Sequence, residues 1–241
     1  EGSQSAVESS NRPLSQNVNP VMKGSQPTDG GRLILDTYEK ETLLNLYPLT
    51  QRWIKPLLGA EEFLNAKKRW CLWLVKASKE DIVNCPPVNE RVQQVAKLRS
   101  ESTKAGTRQK ALIPHLFDEI RQPFSGSYIF IPSVSSERRT YVPLGFFDAE
   151  IVATNLALII PNGTLYEFGV LSSILHNDWM RLVAGRLKSD YRYSASIVYN
   201  PFPWPEVTAS QRKQIEDLAE AILFTREEFP GSTLAQLYDP D

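Results

Sequence analysis

Charged side chains alternate along the stretch from Gly185 to Tyr193. In an extended loop every second side chain points the same way, so Lys188, Asp190 and Arg192 would share one side. Lysine can donate to guanine, aspartate can accept from cytosine, and arginine can pair with guanine through two hydrogen bonds. This set of side chains could therefore read both members of a base pair. The alternative is a solvated loop whose charges form salt bridges with one another.

Two other stretches carry polar side chains that can hydrogen-bond to the edges of bases. Ser133-Val-Ser-Ser-Glu-Arg-Arg139 lies at a predicted turn between two strands, and Ala153-Thr-Asn155 comes just before the next strand. Basic side chains elsewhere could contact phosphates, which contributes affinity but no sequence information. The candidates are Lys67, Lys68, Arg69, Arg99, Lys104, Arg108, Lys110, Arg138, Arg139 and Arg186. For each of them, an ordinary surface charge is the simpler single-residue explanation.

The distribution of charge permits binding to nucleic acid without demanding it. The net charge of the 241 residues is −1, but residues 206–241 hold eight acidic side chains and only three basic ones. The preceding residues 1–205 therefore carry a surplus of four positive charges. This balance is compatible with a DNA-binding surface, although most proteins that share it bind no DNA.

Composition places the chain among soluble globular proteins. Hydrophobic residues make up 41% and charged residues 23%, and no apolar run approaches the roughly 18–20 residues that span a bilayer. The first six residues lack the basic and apolar regions of a signal peptide. Cys71 and Cys85 are too few for a disulfide framework, so we expect a cytoplasmic protein.

The sequence offers no convincing set of residues for a self-contained active site. His115 and His176 are the only histidines, and they and the two cysteines lack the spacing of a zinc site. Asn84-Cys-Pro-Pro87 superficially resembles the Asn-Pro-Pro-aromatic motif of amino-methyltransferases, but it has an extra residue and Val88 is not aromatic. Asn162-Gly163 is a lone turn signal rather than a glycine-rich loop for S-adenosylmethionine or phosphate. We therefore expect this chain to bind rather than to catalyse, without a metal or cofactor of its own.

Helical spacing and short apolar runs both occur along the chain. The predicted helices are Glu39–Leu46, Thr50–Leu58, Ala60–Ala66, Val88–Lys104, Thr164–Ala184 and Thr208–Phe229, with a last one starting at Ser232. The predicted strands are Leu33–Leu35, Arg69–Val75, Ser127–Pro132, Thr140–Leu144, Leu156–Ile160 and Ser196–Tyr199. Residues 1–31 are rich in Ser, Asn, Gln, Pro and Gly, which indicates a connector or an extended arm. Pro201-Phe-Pro-Trp-Pro205 marks a boundary, so we divide the chain into a connector (1–31), a domain (32–205) and the start of a helical segment (206–241).

Seven motifs follow one another over nearly the whole chain. They are Arg12-Pro-Leu-Ser, Gly24-Ser-Gln-Pro-Thr-Asp-Gly-Gly31, Trp53-Ile-Lys-Pro-Leu-Leu-Gly-Ala-Glu-Glu-Phe63, Lys68-Arg-Trp-Cys-Leu-Trp-Leu74, Ile131-Pro-Ser-Val-Ser-Ser-Glu-Arg-Arg139, Gly185-Arg-Leu-Lys-Ser-Asp-Tyr-Arg-Tyr-Ser194 and Tyr199-Asn-Pro-Phe-Pro-Trp-Pro205. In this order they closely resemble the carboxy-terminal region of single-chain type IIL restriction–modification enzymes and their methyltransferase relatives. The agreement of several ordered motifs is far more specific than any one of them.

The resemblance implies a role within a larger enzyme. The parent protein would carry a gamma-class adenine-N6 methyltransferase domain upstream, which uses S-adenosylmethionine, often preceded by a nuclease domain. This chain would be the non-catalytic target recognition domain, an α+β fold with mixed sheets, flanking helices and a helical carboxy-terminal segment. Its partners would be double-stranded DNA, read through the major groove, and the methyltransferase domain of the same chain, which flips the adenine. We expect a monomer with no membrane partner.

The resemblance also assigns base-reading roles to particular residues. Lys188 and Asp190 match one pair, and in the family a lysine–aspartate combination there goes with guanine at the last base of the site. Ser133 would share another base pair with Asn155. Relatives often have a basic residue where Ser133 stands, so the base that it would read is left open.

A third base pair would be read by Leu156 together with Arg192. The DNA backbone would be contacted by Lys68, Arg69, Arg138, Arg139 and Arg186. Such a reading surface requires the base-reading side chains to share one concave, positively charged face of the molecule.

The rival hypothesis is a protein-interaction module. The predicted helix Val207–Phe229 is amphipathic, with Ile215, Leu218, Ala219 and Ile222 on one face, and this face could dock a partner. A standalone hydrolase is a third alternative, but it lacks a credible nucleophile–base pair. An interaction module would bury or scatter the proposed base-reading side chains and would leave an apolar patch exposed.

Overall fold

The computed structural model describes residues 7–240. Residues 1–6, the part of the predicted connector without signal-peptide features, and Asp241, the end of the predicted helical segment, lie outside the described residues. The strands are β1 (Met22–Lys23), β2 (Ile34–Leu35), β3 (Ile54–Leu58), β4 (Trp70–Leu72), β5 (Ser127–Pro132), β6 (Val134–Ser135), β7 (Gly145–Asp148), β8 (Val152–Ala153), β9 (Ala157–Pro161), β10 (Gly185–Leu187) and β11 (Asp190–Arg192). The helices are α1 (Thr37–Leu46), α2 (Ala60–Asn65), α3 (Lys79–Val83), α4 (Pro86–Ser100), α5 (Ala105–Gln109), α6 (Leu165–Ser172), α7 (Ile174–Val183), α8 (Ala209–Glu227) and α9 (Leu234–Tyr238). Helices pack around three small sheets, one of them mixed, which confirms the predicted α+β class.

The central sheet has the strand order β1-β9-β5-β7 and is antiparallel. Both of its faces are buried, which explains why β5 is apolar at successive positions instead of alternating with polar residues. Ile129 and Ile131 pack in a cluster with residues of α6, α7 and α8, whereas Tyr128 and Phe130 pack with Phe63 of α2. The sheet therefore joins the carboxy-terminal helices to the first half of the chain.

One predicted strand of this region is displaced along the chain. Residues 140–144 are not a strand, and β7 begins only at Gly145. The backbone N–H of Val142 donates to the side chain of Asn177 on α7, at 2.8 Å, and is therefore not available to a strand partner. The prediction for Thr140–Leu144 is wrong because a side chain of α7 takes the place of that partner.

The second sheet has the order β2-β4-β3-β8, in which only the β3–β8 pair is parallel. Helix α4 covers it with Val88, Val92 and Val95, which recur at helical spacing and are buried. The predicted helix Thr50–Leu58 is wrong, because its first part lies in a 3-10 helix and its second part is β3. Pairing with two neighbouring strands fixes the extended backbone there and overrides the local helical spacing.

The predicted long helix Thr164–Ala184 is interrupted at Ser173. The backbone of Ser173 is extended, with ψ of 156°, and its hydroxyl accepts the N–H of His176, so α7 begins as a separate, capped helix. His176 is buried, and its Nε2 lies 2.8 Å from the hydroxyl of Tyr193. Burial lowers the pKa of His176 to about 3, which fits a neutral structural histidine.

The predicted strand at 196–199 is also wrong, because Ala195–Tyr199 forms a π-helical turn.

The carboxy-terminal helices pack onto the domain instead of projecting from it. Gly169 on α6 permits the close approach of α8, since a Cβ there would lie 2.7 Å from Cγ2 of Ile215. Ile215, Ala219 and Ile222 belong to the core cluster around the central sheet. The apolar face of α8 that the rival hypothesis assigns to an external partner is thus mostly packed against the rest of this chain, although Leu218 stays exposed.

Within residues 7–240, no helix combines the length and apolarity that crossing a bilayer requires.

Candidate nucleic-acid interface

The stretch predicted to be a charged loop is a β-hairpin. Strands β10 and β11 are antiparallel, and β11 also pairs with β6. Tyr191, at the centre of β11, is buried in the core, whereas Asp190 and Arg192 flank it and therefore project from the opposite face. The predicted alternation thus holds for these two charged residues.

Lys188 occupies a different position from the one expected. Leu187 pairs with Asp190, so Lys188 is the first of two residues in the hairpin turn. Its φ of 56° lies in the left-handed region, which costs a non-glycine residue about 1 kcal/mol. The expectation that Lys188 continues an extended row with Asp190 and Arg192 is wrong, because the chain reverses at this residue. Its side chain is exposed at the end of the hairpin.

Ser133 lies between the hairpin and the segment before β9. Its N–H donates to the carbonyl oxygen of Leu156 at 3.2 Å, and its own carbonyl oxygen accepts the N–H of Tyr193 at 2.9 Å. These two bonds place Ser133 and Leu156 beside the end of β11, where Arg192 stands. Leu156 is 62% exposed, which is unusual for a leucine held so firmly by its backbone.

The amino-terminal arm holds Asn155 in place. The N–H of Asn155 donates to the carbonyl oxygen of Ser25 at 2.9 Å, and the N–H of Ser25 donates to Ala153 at 2.8 Å. Gly24 makes this approach possible, because a Cβ there would lie 2.3 Å from the carbonyl oxygen of Thr154. Within residues 7–240 the side-chain amide of Asn155 makes no hydrogen bond, so it is available to a ligand.

A groove of about 770 Å³ runs between α2 with its following loop and the hairpin sheet. Among the predicted residues, the groove is lined by Lys67, Lys68, Arg69, Arg139, Leu156 and Asp190. Ser133, Asn155, Lys188 and Arg192 are not part of this lining, although backbone contacts place Ser133, Asn155 and Arg192 next to Leu156 or Asp190. Sequence reasoning missed Glu61, Glu62, Asn65 and Ser136, which also line the groove. The Glu-Glu pair preceding Lys67-Lys68-Arg69 was the available signal for the two acidic residues.

Several of the predicted phosphate ligands already have carboxylate partners. Arg69 Nε lies 3.2 Å from Glu62 Oε1, and Arg186 Nη1 lies 3.4 Å from Glu137 Oε2. Lys67 is also paired, since it hydrogen-bonds to Glu61 and thereby lowers the pKa of that carboxyl. Arg139 pairs with Asp239, whose Oδ1 lies 2.6 Å from the arginine Nε, and the arginine side chain is mostly buried.

A second set of cations has no carboxylate partner within residues 7–240, and one of them, Lys68, lines the groove. Lys68, Arg138, Lys188 and Arg192 are exposed, and none forms a salt bridge within residues 7–240. Unpaired cations on one side of a protein attract a polyanion without first losing an internal partner. These four residues are therefore the best placed of the basic candidates to meet a nucleic acid.

Arg99 does not belong to this surface. It is fully buried, and its guanidinium donates to backbone carbonyl oxygens, including those of Pro27 at 2.7 Å and Leu116 at 2.8 Å. Burial lowers the pKa of Arg99. The expectation of a phosphate contact at Arg99 is wrong, because the residue fastens the amino-terminal arm to α4. Lys104, Arg108 and Lys110 lie in or beside α5 and do not line the groove.

The turn that most resembles a cofactor loop is filled by core side chains. Gly163 follows β9 and precedes α6, but a Cβ at Gly163 would lie 2.6 Å from the Cδ1 of Ile129. The carbonyl oxygen of Asn162 already accepts a hydrogen bond from Asn19. This turn therefore does not fit S-adenosylmethionine. Within residues 7–240, no three His, Cys, Asp or Glu side chains are grouped closely enough to hold a metal ion.

Known proteins resemble the chain over its whole length. The family model of the MmeI target recognition domain matches residues 1–206, and that of the MmeI C-terminal domain matches residues 207–241. The chain is 39% identical, over 240 residues, to DNA methyltransferase A of Bacillus subtilis (strain 168). A solved structure of the type IIL restriction-modification enzyme MmeI in complex with DNA matches 98% of the chain, with a TM-score of 0.94 and 40% identity. The chain spans 27% of the first relative and 31% of the second, which is less than one third of either.

Proposed function

The chain belongs to the family of MmeI target recognition domains, and we propose that it reads the base sequence of double-stranded DNA for a methyltransferase domain of the same polypeptide. One observation carries the proposal. Asp190 and Arg192 project from one face of an exposed hairpin, and Ser133 and Leu156 adjoin the strand that bears them. A two-stranded ribbon of this size fits the major groove of B-form DNA, where each base pair shows a distinct pattern of donors and acceptors.

The hairpin residues match the chemistry of a guanine–cytosine pair. The ammonium group of Lys188 can donate to O6 and N7 of guanine, while the carboxylate of Asp190 can accept from N4 of cytosine. Asp190 forms no salt bridge within residues 7–240, and only its Oδ1 accepts a backbone N–H, from Glu137 at 3.4 Å, so the carboxylate retains acceptor capacity for this role. The proposal assigns this base pair to the last position of the recognition site.

Two further base pairs would be read beside the hairpin. The free side-chain amide of Asn155 offers both a donor and an acceptor to a base edge, and Ser133 would complete the reading of that base pair. The exposed side chain of Leu156 can contact an apolar base edge such as the methyl group of thymine, next to the guanidinium of Arg192. The proposal leaves the base opposite Ser133 open, because a hydroxyl both donates and accepts.

Phosphates would be contacted at the margins of the groove. Lys68 and Arg138 are exposed and unpaired within residues 7–240, so they can bind phosphates at once. Arg69 and Arg186 would first have to exchange a carboxylate for a phosphate. We therefore assign most of the non-specific affinity of this chain to Lys68 and Arg138.

Methyl transfer itself belongs to a part of the protein outside this chain. Within the proposal, residues 1–31 connect to that part, residues 32–205 read the DNA, and residues 206–241 begin a helical segment. The reaction would transfer the methyl group of S-adenosylmethionine to N6 of an adenine that the methyltransferase domain flips out of the duplex. The complete protein would act on DNA as a monomer.

A binding measurement on the complete protein tests this function. The recognition motif is first found by sequencing the source genome for N6-methyladenine, and affinities are then measured for the motif duplex, a scrambled duplex and duplexes with one altered base pair. We expect a preference of about 10³-fold or more for the motif, and a loss of about 1–3 kcal/mol for each altered base pair. Equal affinity for the motif and scrambled duplexes would contradict the proposal.

A further inference from the structure

Arg139 and Asp239 join the turn after β6 to the carboxy-terminal end of α9. Arg139 Nε lies 2.6 Å from Asp239 Oδ1, and the side chain of Arg139 is only 9% exposed. Arg138, its neighbour, is exposed and unpaired within residues 7–240. Two adjacent arginines in one turn therefore have different environments, although the sequence does not distinguish them.

Helix α9, which precedes Asp239, contacts the rest of the domain at several points. Leu234 and Ala235 pack against the apolar cluster around Phe63 of α2. The hydroxyl of Tyr238 lies 3.1 Å from Nε of Arg226, whose Nη1 donates to the carbonyl oxygen of Leu144 at 2.6 Å. The segment that carries Asp239 is thus docked onto α2, α8 and the start of β7.

The same turn also contacts the base-reading hairpin. The backbone N–H of Glu137 lies 3.4 Å from a carboxylate oxygen of Asp190, and the carboxylate of Glu137 lies 3.4 Å from Arg186. A continuous series of contacts therefore runs from Asp239 through Arg139 and the turn to Asp190. Chains of packed side chains, hydrogen bonds and salt bridges can couple distant groups, and the coupling is measured by changing their members singly and together.

We infer that Arg139 and Asp239 form a positioning pair through which the carboxy-terminal segment holds Asp190 in its base-reading position. The inference rests on the proposed function and deepens it, because it adds a specificity-determining contact outside the reading surface. It also gives Arg139 a role other than the phosphate contact expected from the sequence. A phosphate would have to displace the carboxylate of Asp239, which already lies 2.6 Å from Nε of Arg139.

The experiment compares neighbouring arginines in the complete protein. Arg139→Gln, Asp239→Asn, Asp239→Glu and the double variant are measured beside Arg138→Gln as the matched control. Selectivity is the ratio of the affinities for the motif duplex and for a duplex altered at the base pair assigned to Asp190. Salt dependence is the slope of the logarithm of the binding constant against the logarithm of the salt concentration.

The inference predicts opposite results for the two arginines. Arg139→Gln and Asp239→Asn should each lower selectivity about 2- to 30-fold and leave the salt slope unchanged. The double variant should be no worse than either single one, and Asp239→Glu should retain most of the selectivity. Arg138→Gln should reduce the salt slope by about 0.9 and preserve selectivity.

Other outcomes overturn the inference. If Arg139→Gln reduces the salt slope as Arg138→Gln does, with selectivity intact, Arg139 is a phosphate ligand. If Arg139→Gln does not fold, the Asp239→Asn variant provides the test, because the Asp239 side chain is 45% exposed and its replacement should be tolerated. Wild-type selectivity in Asp239→Asn refutes the role of the pair. If the Lys188 and Asp190 variants lose selectivity but the Arg139 and Asp239 variants keep it, the inference is refuted and the proposed function stands. Unchanged selectivity in all of these variants refutes the proposed function as well.

Discussion

The guanidinium carbon of Arg186 lies 3.8 Å from the centre of the Tyr191 ring, on the face of the hairpin turned toward the core. Nη1 of Arg186 also donates to the carbonyl oxygen of Ser189 in the turn, at 2.6 Å. The arginine therefore fastens β10 to β11 and closes the turn that presents Lys188. We therefore expect Arg186 to contribute more to the stability of the hairpin than to phosphate binding.

Replacing Arg186 by alanine should loosen the hairpin. An exposed cation–π contact stabilises by about 0.5–1 kcal/mol, so we expect a comparable fall in the free energy of unfolding. Selectivity should fall at the base pair assigned to Lys188 and Asp190, since their support is weakened. Tyr191→Phe is the matched control, because it keeps the ring, and it should change neither quantity appreciably. Denaturant unfolding and duplex binding measure the two effects, and an unaltered hairpin selectivity in Arg186→Ala would count against the structural role.

Lys188 allows stability and recognition to be separated. Its left-handed backbone suits glycine, so Lys188→Gly should be more stable than Lys188→Ala by about 1 kcal/mol in denaturant unfolding. Both variants lack the ammonium group, so both should lose about 1–3 kcal/mol of discrimination at one base pair. If Lys188→Gly discriminated between base pairs as well as the wild type does, and only the less stable Lys188→Ala lost discrimination, Lys188 would not be a base-reading residue.

Lys68 and Lys67 provide a matched pair for phosphate binding. Lys68 is exposed and unpaired within residues 7–240, whereas Lys67 hydrogen-bonds to Glu61. Lys68→Gln should therefore reduce the salt slope of DNA binding by about 0.9, which corresponds to one lost phosphate contact. Lys67→Gln should reduce it by less, since its charge is partly neutralised already. Salt titrations of DNA binding by the complete protein measure both slopes. Equal slopes for the two variants would show that the Lys67–Glu61 ion pair does not reduce phosphate binding by Lys67.

The buried His176 should make stability depend on pH. The folded chain keeps His176 neutral down to a pKa of about 3, whereas the unfolded chain binds a proton at the ordinary pKa of 6.5. Its contribution is fully present above pH 6.5 and is lost as the pH falls toward 3, by up to about 1.4 kcal/mol per pH unit. His176→Gln, which can still hydrogen-bond to Tyr193, should flatten this dependence in urea unfolding. The same slope in both proteins would exclude His176 as its source.

The general type of fold could be predicted from the sequence, but several of its elements could not. Apolar periodicity placed β5 and the helices α4 and α8 correctly, because burial on one or both faces leaves a repeated pattern. The strand β3 was predicted as helix, since its extended backbone depends on pairing with β4 and with β8, and β8 lies almost a hundred residues further along the chain. The break at Ser173 was missed because the apolar residues continue on both sides of it, although serine is a favourable N-cap residue.

The candidate site was predictable by residue type and less so by geometry. The charged stretch that contains Asp190 and Arg192 was recognised, and the alternation of these two residues follows from strand geometry. The left-handed conformation of Lys188 was not predictable, because lysine does not favour it and only strand pairing on both sides imposes it. The different environments of Arg138 and Arg139 depend on Asp239, a hundred residues further along the chain, which no local pattern indicates.

The most direct test of base reading is the methylation motif of a hairpin variant. Lys188→Gly combined with Asp190→Asn is introduced into the complete protein, and methylated sites are mapped by sequencing that detects N6-methyladenine. The control is Lys213→Gln with Asp217→Asn, an exposed lysine–aspartate pair on α8. We predict that methylation continues in both variants, that the motif of the hairpin variant changes or relaxes at one base pair, and that the control keeps the wild-type motif. An unchanged motif in an active hairpin variant would contradict the assignment of base reading to this hairpin.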